Sequence, residues 1–319
     1  MTSRVRGERG FALVAAMWLL VALSIVGLEL AREGRARRLA AANVLEASQA
    51  RAAARAGLEH VRSRLAWRAA RAEQGAFGSA RAVLDPWAGL DSMPFEPVAL
   101  GAARYAVRIR DVGTALHLNR ASEDEVRRLF VALRVDAGEA DRLAQAILDW
   151  RDSDDLHRAR GAEREAYERA GAAELPRNGP FQALSELLAV RGTTPDLYAR
   201  VRPYLTLLGS GQVNLLAAER PVLLALPGMT EEAVEALLRL RRRGRALADV
   251  SGLGRELSPR ARQVFDAALP ELLGRTTVET REIEAVSEGW VPDGPIRVRA
   301  EGLFARSRGA VFFVWSRVE

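Results

Sequence analysis

The chain has 319 residues, 49% of them apolar, which is enough for two compact units with cores of their own beyond a long helix. It has no cysteine, so a disulfide framework, a thiolate metal site and a thiol nucleophile are all excluded. The formal net charge is only +6, and every one of the 47 basic residues is arginine, a pattern of codon bias in a GC-rich genome rather than a nucleic-acid signature.

Residues 1–10 form a short basic leader carrying Arg4, Arg6 and Arg9 and ending in Gly10. Phe11 follows at once and opens an uncharged apolar run to Leu28. As a helix this run is about 27 Å long, enough to cross the hydrocarbon core of a bilayer. Three readings compete. A secretory signal needs a small-x-small cleavage site, and the one candidate, Ala22-Leu23-Ser24, lies inside the apolar run. A plain membrane anchor explains the hydrophobicity but gives Gly10-Phe11 no role, and arginines on both flanks (Arg32, Arg35, Arg37 and Arg38 on the far side) leave its orientation open. The third is a signal that resembles those of type IV prepilins: a basic leader, a glycine, then Phe or Met opening an apolar helix. A peptidase then cuts after Gly10 and the apolar segment stays on the mature chain.

From Glu29 to Arg71 there is no proline, and Ala, Leu, Arg and Glu dominate, which predicts one helix over 11–75 with 11–28 in the membrane. Leu39, Val44, Leu58, Val61 and Leu65 supply its apolar stripe. A solvated or coiled-coil stalk is the alternative. Residues 76–120 read as a Gly/Pro/Asp-rich loop, Gly75 to Pro97 with Trp87 and Phe95, followed by a strand in which Tyr105, Val107 and Ile109 share one face.

Residues 121–272 are helical in pattern, with Ser122 as an N-cap ahead of Glu123, Asp124 and Glu125. Helices are expected over 122–133, 137–150, 181–190, 195–205, 219–226, 231–243 and 258–268. Residues 273–319 return to strands at 276–286, 296–301 and 311–318. One strand before and several after a helical block imply an α+β fold: a long N-terminal helix packed on a small antiparallel sheet, with an all-helical domain inserted between strands. Three separate units in series are the alternative.

Two motifs carry chemistry. Ala146 to Asp155 ends a helix in closely spaced carboxylates, and Gly161-Ala162-Glu163, Glu165 and Tyr167 follow. Hard oxygens converging on one point suit calcium, although the spacing is not that of an EF-hand. A solvated acidic helix end near Arg151, Arg158 and Arg160 is the competing reading. Leu226-Pro227-Gly228-Met229-Thr230 outlines a helix-hairpin-helix, whose backbone amides can meet a DNA phosphate. Residues 205–272 are nearly balanced in charge, however, so a structural hairpin is expected and no nucleic-acid partner. His60, His117 and His157 are scattered, and no phosphate loop or Gly-x-Ser-x-Gly occurs, so the chain reads as a non-enzyme.

Together these residues resemble the K-type minor pseudopilins of bacterial type II secretion, also called general secretion pathway protein K. The resemblance rests on Gly10-Phe11, Leu116-His117-Leu118-Asn119, Ala146 to Asp155 with Gly161-Ala162-Glu163 and Tyr167, Asn178-Gly179-Pro180, Glu186-Leu187, Pro203-Tyr204-Leu205, Val213-Asn214 and Phe313-Val314-Trp315. It implies a pseudopilin helix and sheet with a large helical insertion that binds calcium, with Asp152, Asp154 and Glu163 as ligands. It also implies cleavage after Gly10, methylation of Phe11, anchoring in the inner membrane with a periplasmic globular part, and partnership with prepilin peptidase and minor pseudopilins of the I, J and H types. Most pilin-like subunits carry Glu at the fifth mature position, where it neutralises the terminal amine of a neighbouring subunit. Here that position is Ala15, which implies a place at the filament tip. The alternative of another class is a membrane-anchored helix-hairpin-helix receptor for DNA uptake; a tip adhesin of a true type IV pilus is a third.

Overall fold

The structure is a computed structural model that describes residues 6–74, 85–90, 96–244, 247, 249–307 and 310–319, with side chains from Leu13 onward. Phe95, most of the Gly75–Pro97 loop and the start of the leader lie outside the described residues, as do the side chains of Gly10 and Phe11. One helix, α1 (Arg6–Glu73), carries both the apolar run and its continuation. From Leu13 to Leu45 it is exposed apart from half-buried Gly34, and it meets the rest of the chain only from about Glu46 onward.

The contact face of α1 differs from the expected stripe. Leu58, Val61 and Leu65 are buried, whereas Leu39 and Val44 lie below the head and are exposed. Small residues supply the rest of the face: Ala50, Ala53, Ala54 and Gly57 bring the helix backbone against the sheet. A Cβ on Gly57 would lie 2.0 Å from Ser287 Oγ, and one on Gly289 would lie 2.2 Å from the Ala50 carbonyl oxygen. Such closeness is open only to glycine.

Five antiparallel strands form the sheet, in the order β1 (Val98–Leu100), β2 (Ala103–Asp111), β7 (Glu282–Trp290), β8 (Arg297–Ser307), β9 (Ala310–Val318). Strict alternation on β7 buries Ile283, Ala285, Ser287 and Gly289 on one face, toward α1. Strands β2 and β7 are direct neighbours, Asp111 opposite Ile283, so residues 112–281 are an insertion between two hydrogen-bonded strands. Its direction follows from the packing on α1. Gly289 lies against Ala50 and Ala54, Ser287 against Gly57, and farther along β7 comes Ile283, beside the insertion's entry and exit. The insertion therefore leaves the sheet at the end remote from the apolar run.

The inserted block contains β3 (Leu116–His117), α2 (Glu123–Ala132), α3 (Ala137–Arg151), α4 (Arg164–Arg169), α5 (Pro195–Val201), β4 (Leu205–Thr206), β5 (Val213–Asn214), α6 (Arg220–Ala225), α7 (Glu231–Arg242), α8 (Pro259–Arg275) and β6 (Thr276–Thr277). Its core, around Leu129, Ile147, Trp150, Leu223, Leu237 and Phe265, is separate from the core between α1 and the sheet. Ser122 caps α2 in a reciprocal capping box with Glu125, whose carboxylate also pairs with Arg275 at 2.8 Å. The expected strand 276–286 is two elements: Thr276–Thr277 pairs in parallel with Val213–Asn214, and only from Glu282 does the chain enter the main sheet. The expected helix 181–190 is a single 3₁₀ segment, Leu184–Leu188.

The two units meet at a buried polar seam. Asp111 accepts hydrogen bonds from Asn214 Nδ2 (2.8 Å), Thr280 Oγ1 (2.9 Å) and the Gly113 amide (2.8 Å), while Asp85 accepts one from the Thr280 amide (2.9 Å). Nearby, Trp87 is buried and donates Nε1–H to the Leu65 carbonyl.

Candidate metal centre

Helix α3 stops where helix formers run out. Asp152 is its C-cap in extended backbone, and Ser153-Asp154-Asp155 continues with residues that disfavour helix. Carboxylates at a helix C-terminus face the negative end of the dipole, so this end needs a cation. Asp149 and Asp152, three residues apart, lie on one face. Asp149 is fully buried, and Gly161 leaves it room: a Cβ there would lie 1.8 Å from Asp149 Oδ2.

Glu163 arrives from the other side as the N-cap of α4, with no side-chain cap bond. It is only 4% exposed, and neither carboxylate oxygen has a hydrogen-bond partner. One oxygen each from Asp149, Asp152 and Glu163 lie within 4.8 Å of one another. Burial, then the charges of Asp149, Asp152, Asp155 and Asp154, push the Glu163 carboxyl up to about 7. Aromatic packing fixes both segments: Trp150 meets Tyr167 edge-on at 5.4 Å and stacks on Phe181 at 6.4 Å, and the Tyr167 hydroxyl accepts from the Arg191 amide.

These residues fit a hard divalent cation. Two oxygens on opposite sides of a calcium ion, each about 2.4 Å away, are about 4.8 Å apart. The donor set is all carboxylate, with no histidine or thiolate to favour a softer metal. The structure brings Asp152 and Glu163 together and adds Asp149, which belongs to the Ala146–Asp155 run but is not among the ligands that the resemblance implies. Asp154 stands outside the group, exposed, with Oδ1 accepting from the Leu156 amide. Asn178, in left-handed backbone at φ 51°, closes the loop by donating to Asp155 Oδ1 and the Asp154 carbonyl.

The hairpin between α6 and α7 is built for packing. Gly228 has φ 69°, and a Cβ on it would lie 2.6 Å from that of Ala268 on α8. The Met229 and Thr230 amides donate to the Leu226 and Gly228 carbonyls. The arginines here also serve the fold: Arg220 pairs with Glu231 and Glu235, and Arg241 donates to the Leu215 and Ala218 carbonyls. Gly10 and Phe11 lie within α1, and Ala15 falls in its bare stretch.

Residues 110–210 match the family model described as type II secretion system (T2SS), protein K. Curated relatives include type II secretion system protein K of Aeromonas hydrophila, 38% identical over 103 residues that cover 31% of each chain. The protein K of Pectobacterium carotovorum subsp. carotovorum is 32% identical over 124 residues, 37% of this chain and 38% of the relative. The matched stretch thus spans about a third of the length of these relatives. A solved structure, the GspK-GspI-GspJ complex from the enterotoxigenic Escherichia coli type 2 secretion system, aligns with a TM-score of 0.58 at 19% identity over 83% of this chain and 99% of that one. The chain therefore shares that fold, and its inserted block resembles protein K in sequence as well.

Proposed function

We propose that this chain is a non-enzymatic minor pseudopilin of the K type, which helps initiate and cap a short periplasmic pseudopilus that moves folded proteins across the outer membrane. The observation that carries the reading is the placement of the insertion. It leaves the sheet at the end remote from the bare apolar part of α1, where a large added domain would obstruct a subunit stacked above but is harmless at a filament end. Ala15 supports the same position. Without a carboxylate there, the subunit offers no partner to a terminal amine in the apolar filament core, where an unpaired charge is costly.

In this reading a prepilin peptidase cuts after Gly10 and Phe11 is N-methylated, with residues 11–28 held in the inner membrane and the globular part in the periplasm. The partners are minor pseudopilins of the I and J types, and the H type below them. The bare stretch from Leu13 to Leu45 is the surface such partners would share.

The same reading includes a structural calcium ion. Asp149, Asp152 and Glu163 would hold it, and its charge would neutralise three converging carboxylates and tie the end of α3 to the start of α4. Intact-mass analysis of the chain from its own cells is expected to give a form beginning at N-methylated Phe11, and deletion of its gene to stop secretion of type II substrates. An unprocessed chain, or normal secretion in the deletion strain, would overturn the proposal.

A further inference from the structure

Arg158 already sits in the metal centre. Its Nη1 lies 2.5 Å from Asp149 Oδ1 and 2.6 Å from Asp152 Oδ2, while its backbone amide donates to both oxygens of Asp149 at 3.2 and 3.3 Å. A calcium ion bonded to the same two oxygens needs 2.3–2.6 Å to each, so the ion and Nη1 compete for one position. The guanidinium, with a single charge, pairs with one oxygen each of Asp149 and Asp152 and leaves buried Asp152 Oδ1 and both oxygens of Glu163, which is 4% exposed, unpartnered. That unpartnered carboxylate shows that the guanidinium fills the centre incompletely.

We propose that Arg158 is the built-in counter-cation of the metal-free centre and that a divalent ion enters only by displacing it, so that Arg158 sets how much calcium the protein needs. The inference rests on the calcium reading given above. A displaced guanidinium has somewhere to go. The side chain is one-third exposed, and Nε is already 3.6 Å from Glu123 Oε2 in the first turn of α2. The backbone amide stays on Asp149, and the turn to Gly161, whose amide donates to the Arg158 carbonyl, keeps the residue in place while the side chain swings out. The exchange leaves three carboxylates sharing a double charge instead of two sharing a single one.

The test uses the full chain in detergent, stripped with chelator, and calcium titrated by calorimetry into wild type and Arg158→Gln. The variant is expected to bind calcium at least tenfold more tightly. In chelator its Tm should fall below that of wild type, because two carboxylates lose their cation, and in saturating calcium the two should coincide. An affinity unchanged or weaker in the variant, or a Tm deficit that persists in calcium, overturns the displacement. If neither protein takes up calcium, the metal centre itself fails.

Should Arg158→Gln not fold without metal, the wild-type chain still decides. Phenylglyoxal modification of Arg158, followed by peptide mapping, is expected to be faster in calcium than in chelator. An equal or slower rate overturns the proposal.

Discussion

Two buried carboxylates in this molecule have opposite surroundings. Glu163 lacks partners, whereas Asp111 accepts three hydrogen bonds at the seam. Burial nevertheless dominates at Asp111 and lifts its carboxyl from 3.8 to about 6, with Asn214, Thr280 and the Gly113 amide opposing and the Asp85 charge adding to the rise. Because the folded-state value is raised, the folded chain holds more protons than the unfolded one between pH 4 and 6, and this group's contribution to stability falls as pH rises through that window. A rise of this size corresponds to about 3 kcal/mol. Asp111→Asn cannot titrate, and its amide would face the Asn214 amide, whose own oxygen is held by the Leu216 amide. The variant is expected to be less stable than wild type at pH 4 and to close most of that gap by pH 7. Denaturant melts of the full chain at four pH values measure the gap; one that stays constant or widens would remove Asp111 as the titrating group.

At the scale of elements, the close approach of α1 to β7 makes a sharper demand than any large apolar side chain. A Cβ on Gly289 would meet backbone atoms of α1 at 2.2 and 2.4 Å, so Gly289→Ala must lift the helix and is expected to cost about 1–3 kcal/mol. Gly302→Ala on β8 meets only the Phe313 ring edge and Leu58 at 3.3–3.5 Å and should cost clearly less. Equal losses for the two in urea melts would show that helix docking tolerates an extra methyl.

This interface also marks where the sequence stops being legible. Length and apolarity reveal α1, capping reveals α2, and alternation reveals β2. A face made of Ala50, Ala53, Ala54 and Gly57 has no apolar contrast to read, so Leu39 and Val44 look equally inward although they lie below the head. Val278 to Arg281 read as strand because the break depends on a partner, Val213–Asn214, more than sixty residues away. The carboxylate cluster is half legible. Asp152 and Glu163 flank a helix end in plain view, but Asp149 looks like one more helical residue until the three-residue spacing to Asp152 is combined with the space that Gly161 leaves beside it.

Across the whole molecule, two independent features would make the same demand in the filament proposed above. Ala15 removes a charge that an internal subunit would offer, and the insertion at 112–281 adds bulk at the upper end of the head. Restoring the charge alone leaves the bulk, so Ala15→Glu is expected to secrete normally and to give no crosslinks between two copies of this chain. Removing the bulk is structurally simple, because Asp111 and Ile283 face each other in an antiparallel pair and the two cores are separate. A chain with residues 113–281 replaced by Asn-Gly keeps Val112 opposite Glu282 and can close β2 onto β7 with a two-residue hairpin turn. Combined with Ala15→Glu, it has both the charge and the shape of an internal subunit, and site-specific crosslinking along α1 should then capture copies stacked on one another. If the doubly altered chain folds and still occurs only singly, position in the filament is set by contacts of α1 rather than by the missing carboxylate and the insertion. If Ala15→Glu alone already stacks, the charge decides and the bulk of the insertion does not.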